Sequence, residues 1–262
     1  MFEGTDPYIV LLAFTLTILI VSLAGAYVPL MRRMNPRQVH LMVALSAGIF
    51  LGILFFMLLP ETFEGHSHGT NVVPWIVGGF LAVLLVDLIL KRRHMEACAC
   101  KACDEGHGHQ LTSISAFVGL AIHAAVDGVI LSIALHAGDG IGLVALIGIS
   151  VHKFVELFAL SSTFKLTGAG NRNILLYMIL FALITPVAAL VSMPIVDIIE
   201  GMDAFIPLAV ATGTFMYVGI YALLPEAFHE RRDGIGSFVL VVIGIAIIAL
   251  ISMLLGSDMH TH

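Results

Sequence analysis

Histidine and carboxylate recur at one spacing inside two otherwise apolar stretches, His123-Ala-Ala-Val-Asp127 and His152-Lys153-Phe-Val-Glu156. Imidazole nitrogen and carboxylate oxygen suit Zn2+ first, then Fe2+ and Mn2+, and are a poor offer to Cu+, which prefers thiolate or thioether. On a helix, four positions are one turn, about 6 Å of rise, so each histidine shares a face with its acid. In hydrocarbon such groups are costly without a charged partner, and one divalent cation would satisfy all four. The spacing predicts a metal site built from His123, Asp127, His152 and Glu156.

The elements that must position these residues are membrane spans. Hydrophobic residues make up 59% of the chain, charged residues 11%, and the mean hydropathy is +1.04, too apolar for an ordinary soluble domain of this length. Crossing a hydrocarbon core of about 30 Å takes about 20 apolar residues. Eight runs qualify, at approximately 7–30, 41–60, 73–90, 111–136, 141–164, 173–195, 204–224 and 236–255. The expected fold is an all-α, single-domain membrane protein over residues 1–262. The short His136–Gly140 connection makes the fourth and fifth spans antiparallel neighbours, with His123 and His152 both near the bilayer midplane.

Basic residues orient the bundle. Arg32, Arg33 and Arg37 follow span 1; Lys91, Arg92, Arg93 and Lys101 follow span 3; Lys165 and Arg172 follow span 5; Arg231 and Arg232 follow span 7. The positive-inside bias assigns these alternate loops to the cytoplasm and both termini to the outside of a cell membrane. Span 1 is too long, and its preceding segment too acidic, for a cleavable signal peptide. The stretch Gly48-x-Phe50 to Leu58-Leu59-Pro60-Glu61-x-Phe63 aligns without gaps on Gly213-x-Phe215 to Leu223-Leu224-Pro225-Glu226-x-Phe228. Span 2 runs outward and span 7 inward, so spans 1–3 and 6–8 are expected to form an inverted repeat around spans 4 and 5, a 3+2+3 arrangement.

With these residues in place the chain resembles the ZIP (Zrt-, Irt-like protein) family of metal transporters over essentially its whole length. The carriers are His123-x3-Asp127-Gly128, His152-Lys153-x2-Glu156, Leu58-Leu59-Pro60-Glu61 and Gly213-Thr214-Phe215-Met216-Tyr217-Val218. The resemblance implies uptake of Zn2+, in some members Fe2+ or Mn2+, into the cytoplasm, with His123, Asp127, His152 and Glu156 as ligands and no resident cofactor. Many members carry Asn after the first histidine and a second carboxylate after the other; this chain has Ala124 and Lys153. An ammonium cannot ligate, which points to a single-metal site. Lys153 has two readings: it holds Asp127 or Glu156 ionised, or it gives up its proton when metal arrives. Acid is expected to weaken loading, because protonated imidazole cannot ligate. Channel and carrier both need this site, and proton coupling is not readable.

Outside the core site, Glu61, Glu64, His66, His68, His136 and Asp139 form a candidate outer vestibule. On the inner side, the loop 91–110 gathers His94, Cys98, Cys100, Cys103, His107 and His109, a candidate cytoplasmic metal acceptor in a reducing compartment. Asp87 either relays metal or pairs with Lys91 one turn on, the latter favoured. His229-Glu230 is a further inner candidate, and His260 and His262 end the chain outside. The competing class is an intramembrane metal-dependent hydrolase on the same ligands, although no His-Glu-x2-His occurs. Partners are divalent metal and the lipid bilayer; a homodimer is compatible with such a bundle, and net charge −6 argues against nucleic acid.

Overall fold

A computed structural model of the chain describes residues 6–31, 35–64, 71–97, 105–198, 205–228 and 234–259, and among them there is no strand. Eight helices are long and apolar enough to cross a membrane: α1 (Pro7–Leu30), α2 (Arg37–Phe63), α3 (Val73–Arg92), α4 (Ala116–Ala137), α5 (Gly140–Leu166), α6 (Asn171–Val196), α7 (Phe205–Ala227) and α8 (Gly234–Met253). The chain is thus an all-α membrane protein. Helix is the form that satisfies every backbone group within its own segment, which hydrocarbon demands. Helical backbone runs beyond two spans, from α3 on to Ala97 and into α4 from Glu105, so only part of the 91–110 stretch is left to a connection.

Besides α1, which ends in a 3-10 turn at Val28–Leu30 around Pro29, three spans break regular geometry in their interiors, each near a proline. In α2 the turn Leu54–Leu58 and in α7 the turn Tyr217–Leu223 widen to π-helix, closing on Leu59 N–H to Leu54 O and Leu224 N–H to Gly219 O. Pro60 and Pro225 lack the N–H that would reach back to the Phe56 and Tyr221 carbonyls, and the wide turns make room for the rings. The freed Phe56 carbonyl accepts from the Ser252 hydroxyl of α8 at 3.1 Å. In α6 the helix is interrupted at Leu183, three residues before Pro186, which leaves the Ala182 carbonyl without its intrahelical donor.

The helices pack in related pairs: α2 on α8 and α3 on α7, α1 on α5 and α6 on α4, α2 on α5 and α7 on α4. Exchanging α1 with α6, α2 with α7, α3 with α8 and α4 with α5 turns each pair into its mate. Contacts follow the same rule residue by residue. A Cβ added at Gly48 would collide with the backbone of Val241, and one at Gly213 with that of Ile76; Gly244 approaches Leu45 and Gly79 approaches Val210. Every one of these residues maps onto its counterpart at the 165-residue offset that separates Gly48 from Gly213. Phe50 and Phe215, counterparts at the same offset, stack on each other with ring centroids 4.0 Å apart. Small residues at these crossings let backbones touch, the main source of helix association where lipid removes the hydrophobic drive.

Candidate metal site between helices 4 and 5

Gly138, with φ 139°, reverses the chain between α4 and α5, so the two helices lie antiparallel and in contact. One turn separates His123 from Asp127 on α4 and His152 from Glu156 on α5. The four side chains are buried and offer one ligand atom each, all within 4.8 Å of one another. His123 Nε2 lies 3.2 Å from Glu156 Oε1 and 3.4 Å from Asp127 Oδ2, while His152 Nε2 lies 3.2 Å from Asp127 Oδ2 and 3.9 Å from Glu156 Oε1. A tetrahedral ion with bonds near 2.0–2.1 Å holds its ligand atoms about 3.3 Å apart. Three of these four His–acid separations already match, and the fourth, with the set's overall spread of up to 4.8 Å, has to contract on binding.

Two buried atoms of the cluster, His123 Nε2 and Glu156 Oε1, have no polar partner outside it. Both face the cluster, and a cation would answer them. The other ring nitrogen of His123 donates to the Ala211 carbonyl of α7 at 3.0 Å. That bond places the proton on Nδ1 and leaves the Nε2 lone pair for metal. The Thr214 hydroxyl donates to the same carbonyl at 2.7 Å and lies 3.4 Å from Nδ1. The Phe215 ring packs 4.8 Å from the imidazole. Sequence reasoning missed this support because a backbone carbonyl has no residue signature; the Gly213-Thr214 pair in α7 is the nearest signal.

Lys153 is drawn fully into the site, its Nζ 2.6 Å from both Asp127 Oδ2 and Glu156 Oε2. Its ammonium does not snorkel to an interface. Glu156 thereby divides its oxygens, Oε2 to the ammonium and Oε1 to the cluster. Exposure is uneven: the side chain of His152 is 11% exposed and that of Asp127 4%, against 0% for His123 and Glu156. The two more accessible residues are those nearer the α4–α5 connection.

Of the vestibule candidates, exposed Glu61 at the end of α2 interacts electrostatically with His152, and its neighbour Thr62 meets Thr212 of α7 hydroxyl to hydroxyl at 2.8 Å. His136 is exposed at the end of α4, away from the cluster. The side chains of Glu64 and Asp139, and all of His66 and His68, lie outside the described residues, as do His229, Glu230, His260 and His262. Cys98, Cys100 and Cys103 lie outside them too, and for His94, His107 and His109 only the helical backbone is described. Asp87 is buried and paired with Lys91 at 2.7 Å, the role favoured from sequence.

Eight apolar spans carrying a buried His, Asp and Glu cluster define a membrane protein built to handle a divalent cation. Comparison with known proteins makes the class specific: the profile of the ZIP zinc transporter family matches residues 8–115 and 94–252, and the chain belongs to that family. It is 22% identical to the zinc transporter ZIP9-A of Xenopus laevis, over 88% of this chain and 90% of that protein. Against the zinc transporter ZIP9 of Micropogonias undulatus identity is 26%, over 79% and 83% of the two chains. Against the zinc transporter ZIP1 of Danio rerio it is 23%, over 76% and 60%. Family membership makes this a divalent metal transporter rather than an enzyme, which removes the hydrolase reading.

Proposed function

We propose that the chain carries Zn2+, with Fe2+ and Mn2+ as further cargo, into the cytoplasm through a single-metal site formed by His123, Asp127, His152 and Glu156. The observation that carries this reading is the convergence of four ligand atoms within 4.8 Å, two of them buried without any other partner. The spacing fits one ion, and the Lys153 ammonium holds the ground beside it where a second cation would otherwise lie. The proposed architecture is the 3+2+3 inverted repeat, supported by the paired contacts at a constant offset. With both termini outside a cell membrane, α4 runs outward and α5 inward, so the accessible pair His152 and Asp127 is the outer pair. Metal then arrives past Glu61, exchanges its water for His152 and Asp127, and settles against His123 and Glu156. On the inner side, residue chemistry supports His94, Cys98, Cys100, Cys103, His107 and His109 as a receiving cluster. All four ligands come from one chain, so one copy suffices for the path; a homodimer is a separate proposal, decided by the mass of the purified protein in detergent.

Purified protein in liposomes loaded with a zinc-sensitive dye tests the reading. Influx of externally added Zn2+ is expected, and His123→Ala and Asp127→Ala are expected to abolish it. Influx unchanged in both variants would overturn the site.

A further inference from the structure

We propose that a slot between α5 and α8 takes one acyl chain of a membrane lipid, and that this chain keeps the two helices apart. The inference rests on the span and inverted-repeat readings above. The slot is an open groove of about 560 Å3 lined by twelve residues of α1, α2, α5 and α8, among them Ile49, Leu146, Val151, Val155, Ile248 and Ile251. Its origin is a contact that one half of the bundle makes and the other lacks. In α4, a Cβ at Gly119 would lie 2.8 Å from Val218 of α7 and 2.9 Å from Val83 of α3. Gly148 occupies the matching place in α5, one turn before His152 as Gly119 is one turn before His123, and it has nothing within 4 Å. The repeat counterpart of Val83 is Ile248, and it lines the slot. Accordingly α3 packs on α4, whereas α8 has no comparable contact with α5 among the described residues.

Three occupants compete for that space. Water needs two to four polar partners, but the lining offers only two hydroxyls: Thr17, which already donates to the Ala13 carbonyl at 2.9 Å and can only accept, and the buried Ser150 hydroxyl. A second copy of the chain needs roughly 20–30 residues a side for a stable interface, more than the twelve here. An acyl chain needs apolar walls, a volume in the range of roughly 300–1,000 Å3 that encloses one small ligand, and an opening to hydrocarbon. The rim supplies the last, through exposed Ile147, Val151, Ile247 and Ile251. Since α5 carries His152 and Glu156, a chain lodged behind it resists any approach of the site toward α8.

The full-length protein in phosphatidylcholine vesicles doped with a phosphatidylcholine bearing a photoactivatable group on one acyl chain decides the matter. Labelling is expected to concentrate on peptides containing 146–155 and 247–251, well above the lipid-facing α3 peptide containing Leu81 and Leu85. Ile247→Trp is expected to remove the α5 label and leave the α3 label, and, since the indole fills the slot as the acyl chain does, to leave Zn2+ influx within about twofold of the parent. Ile251→Phe serves if the tryptophan variant does not fold. Equal labelling of α3 and the slot would mean annular lipid only and would overturn the proposal. So would an Ile247→Trp variant that splits a dimer, which would mark the slot as an interface between copies. His123→Ala, run in parallel, fails separately if the metal reading is wrong, because slot labelling does not depend on it.

Discussion

Three charges meet in a volume of a few ångströms at this site, and their sum governs what a cation experiences. Asp127 and Glu156 bring two negative charges and Lys153 returns one positive, from 2.6 Å to each. With both imidazoles neutral the cluster is net negative by one, enough to attract a divalent ion without trapping it. Conduction needs that compromise between capture and release. Replacing the ammonium by a neutral side chain of similar length, Lys153→Met, leaves two facing carboxylates with no counter-charge. Removing one partner from a buried ion pair typically costs about 3–5 kcal/mol, so the metal-free protein is expected to unfold at a clearly lower temperature. Zn2+ should restore much of that loss, bind tighter than in the parent and leave more slowly. Thermal unfolding with and without Zn2+ checks this, and an unchanged metal-free transition would refute it.

At the scale of elements, the glycine crossings separate contacts that set the frame from positions that are free. At Gly213 a side chain would meet the Ile76 backbone, and at Gly48 the Val241 backbone; backbone cannot step aside as a side-chain tip can. Overpacking of this kind costs about 1–3 kcal/mol or more, so Gly213→Leu and Gly48→Leu are expected to lower stability strongly or prevent folding. Gly148→Leu, pointing into open space, should stay within about 0.5 kcal/mol of the parent. Unfolding temperatures of the three variants in one detergent are the measurement. Much of this layer was legible in the sequence. Span lengths followed from apolar runs, since lipid tolerates little else, and the Leu-Leu-Pro-Glu match exposed the kinship of α2 and α7. The matching of α3 with α8 was expected only by extension from α2 and α7, because in uniformly apolar sequence the shared Gly79 and Gly244 weigh little until their backbone contacts are seen. The π turns were hidden, since proline signals a break without saying how the chain absorbs it. That His123, Asp127, His152 and Glu156 would meet was readable from spacing, while the Ala211 carbonyl that orients His123 was not.

For the molecule as a whole, the distribution of charge and the exposure of the ligands speak to the same axis. Basic residues Lys91, Arg92, Lys165 and Arg172 gather at the ends of α3, α5 and α6 opposite the α4–α5 connection. At that basic end the Lys165 ammonium caps the carbonyl of Pro29 and the Asn171 amide that of Leu30, closing the termini of α1 and α5 together. Toward the connection, the site opens through His152, which interacts electrostatically with the exposed Glu61 at the end of α2. If the basic end is cytoplasmic, as the positive-inside bias requires, Glu61 must be reachable from outside and must compete for the metal on its way in. In a background with Cys98, Cys100 and Cys103 changed to Ser, Glu61→Cys is therefore expected to react with a membrane-impermeant maleimide added to right-side-out vesicles, and Zn2+ should slow that reaction. Zn2+ protection is expected to disappear when His152→Ala is added, since the cation then has no partner to bring it to that mouth. The native cysteines, tested in the parent, should react only after the vesicles are opened. Labelling of Glu61→Cys only in opened vesicles would reverse the molecule in the membrane and turn uptake into export.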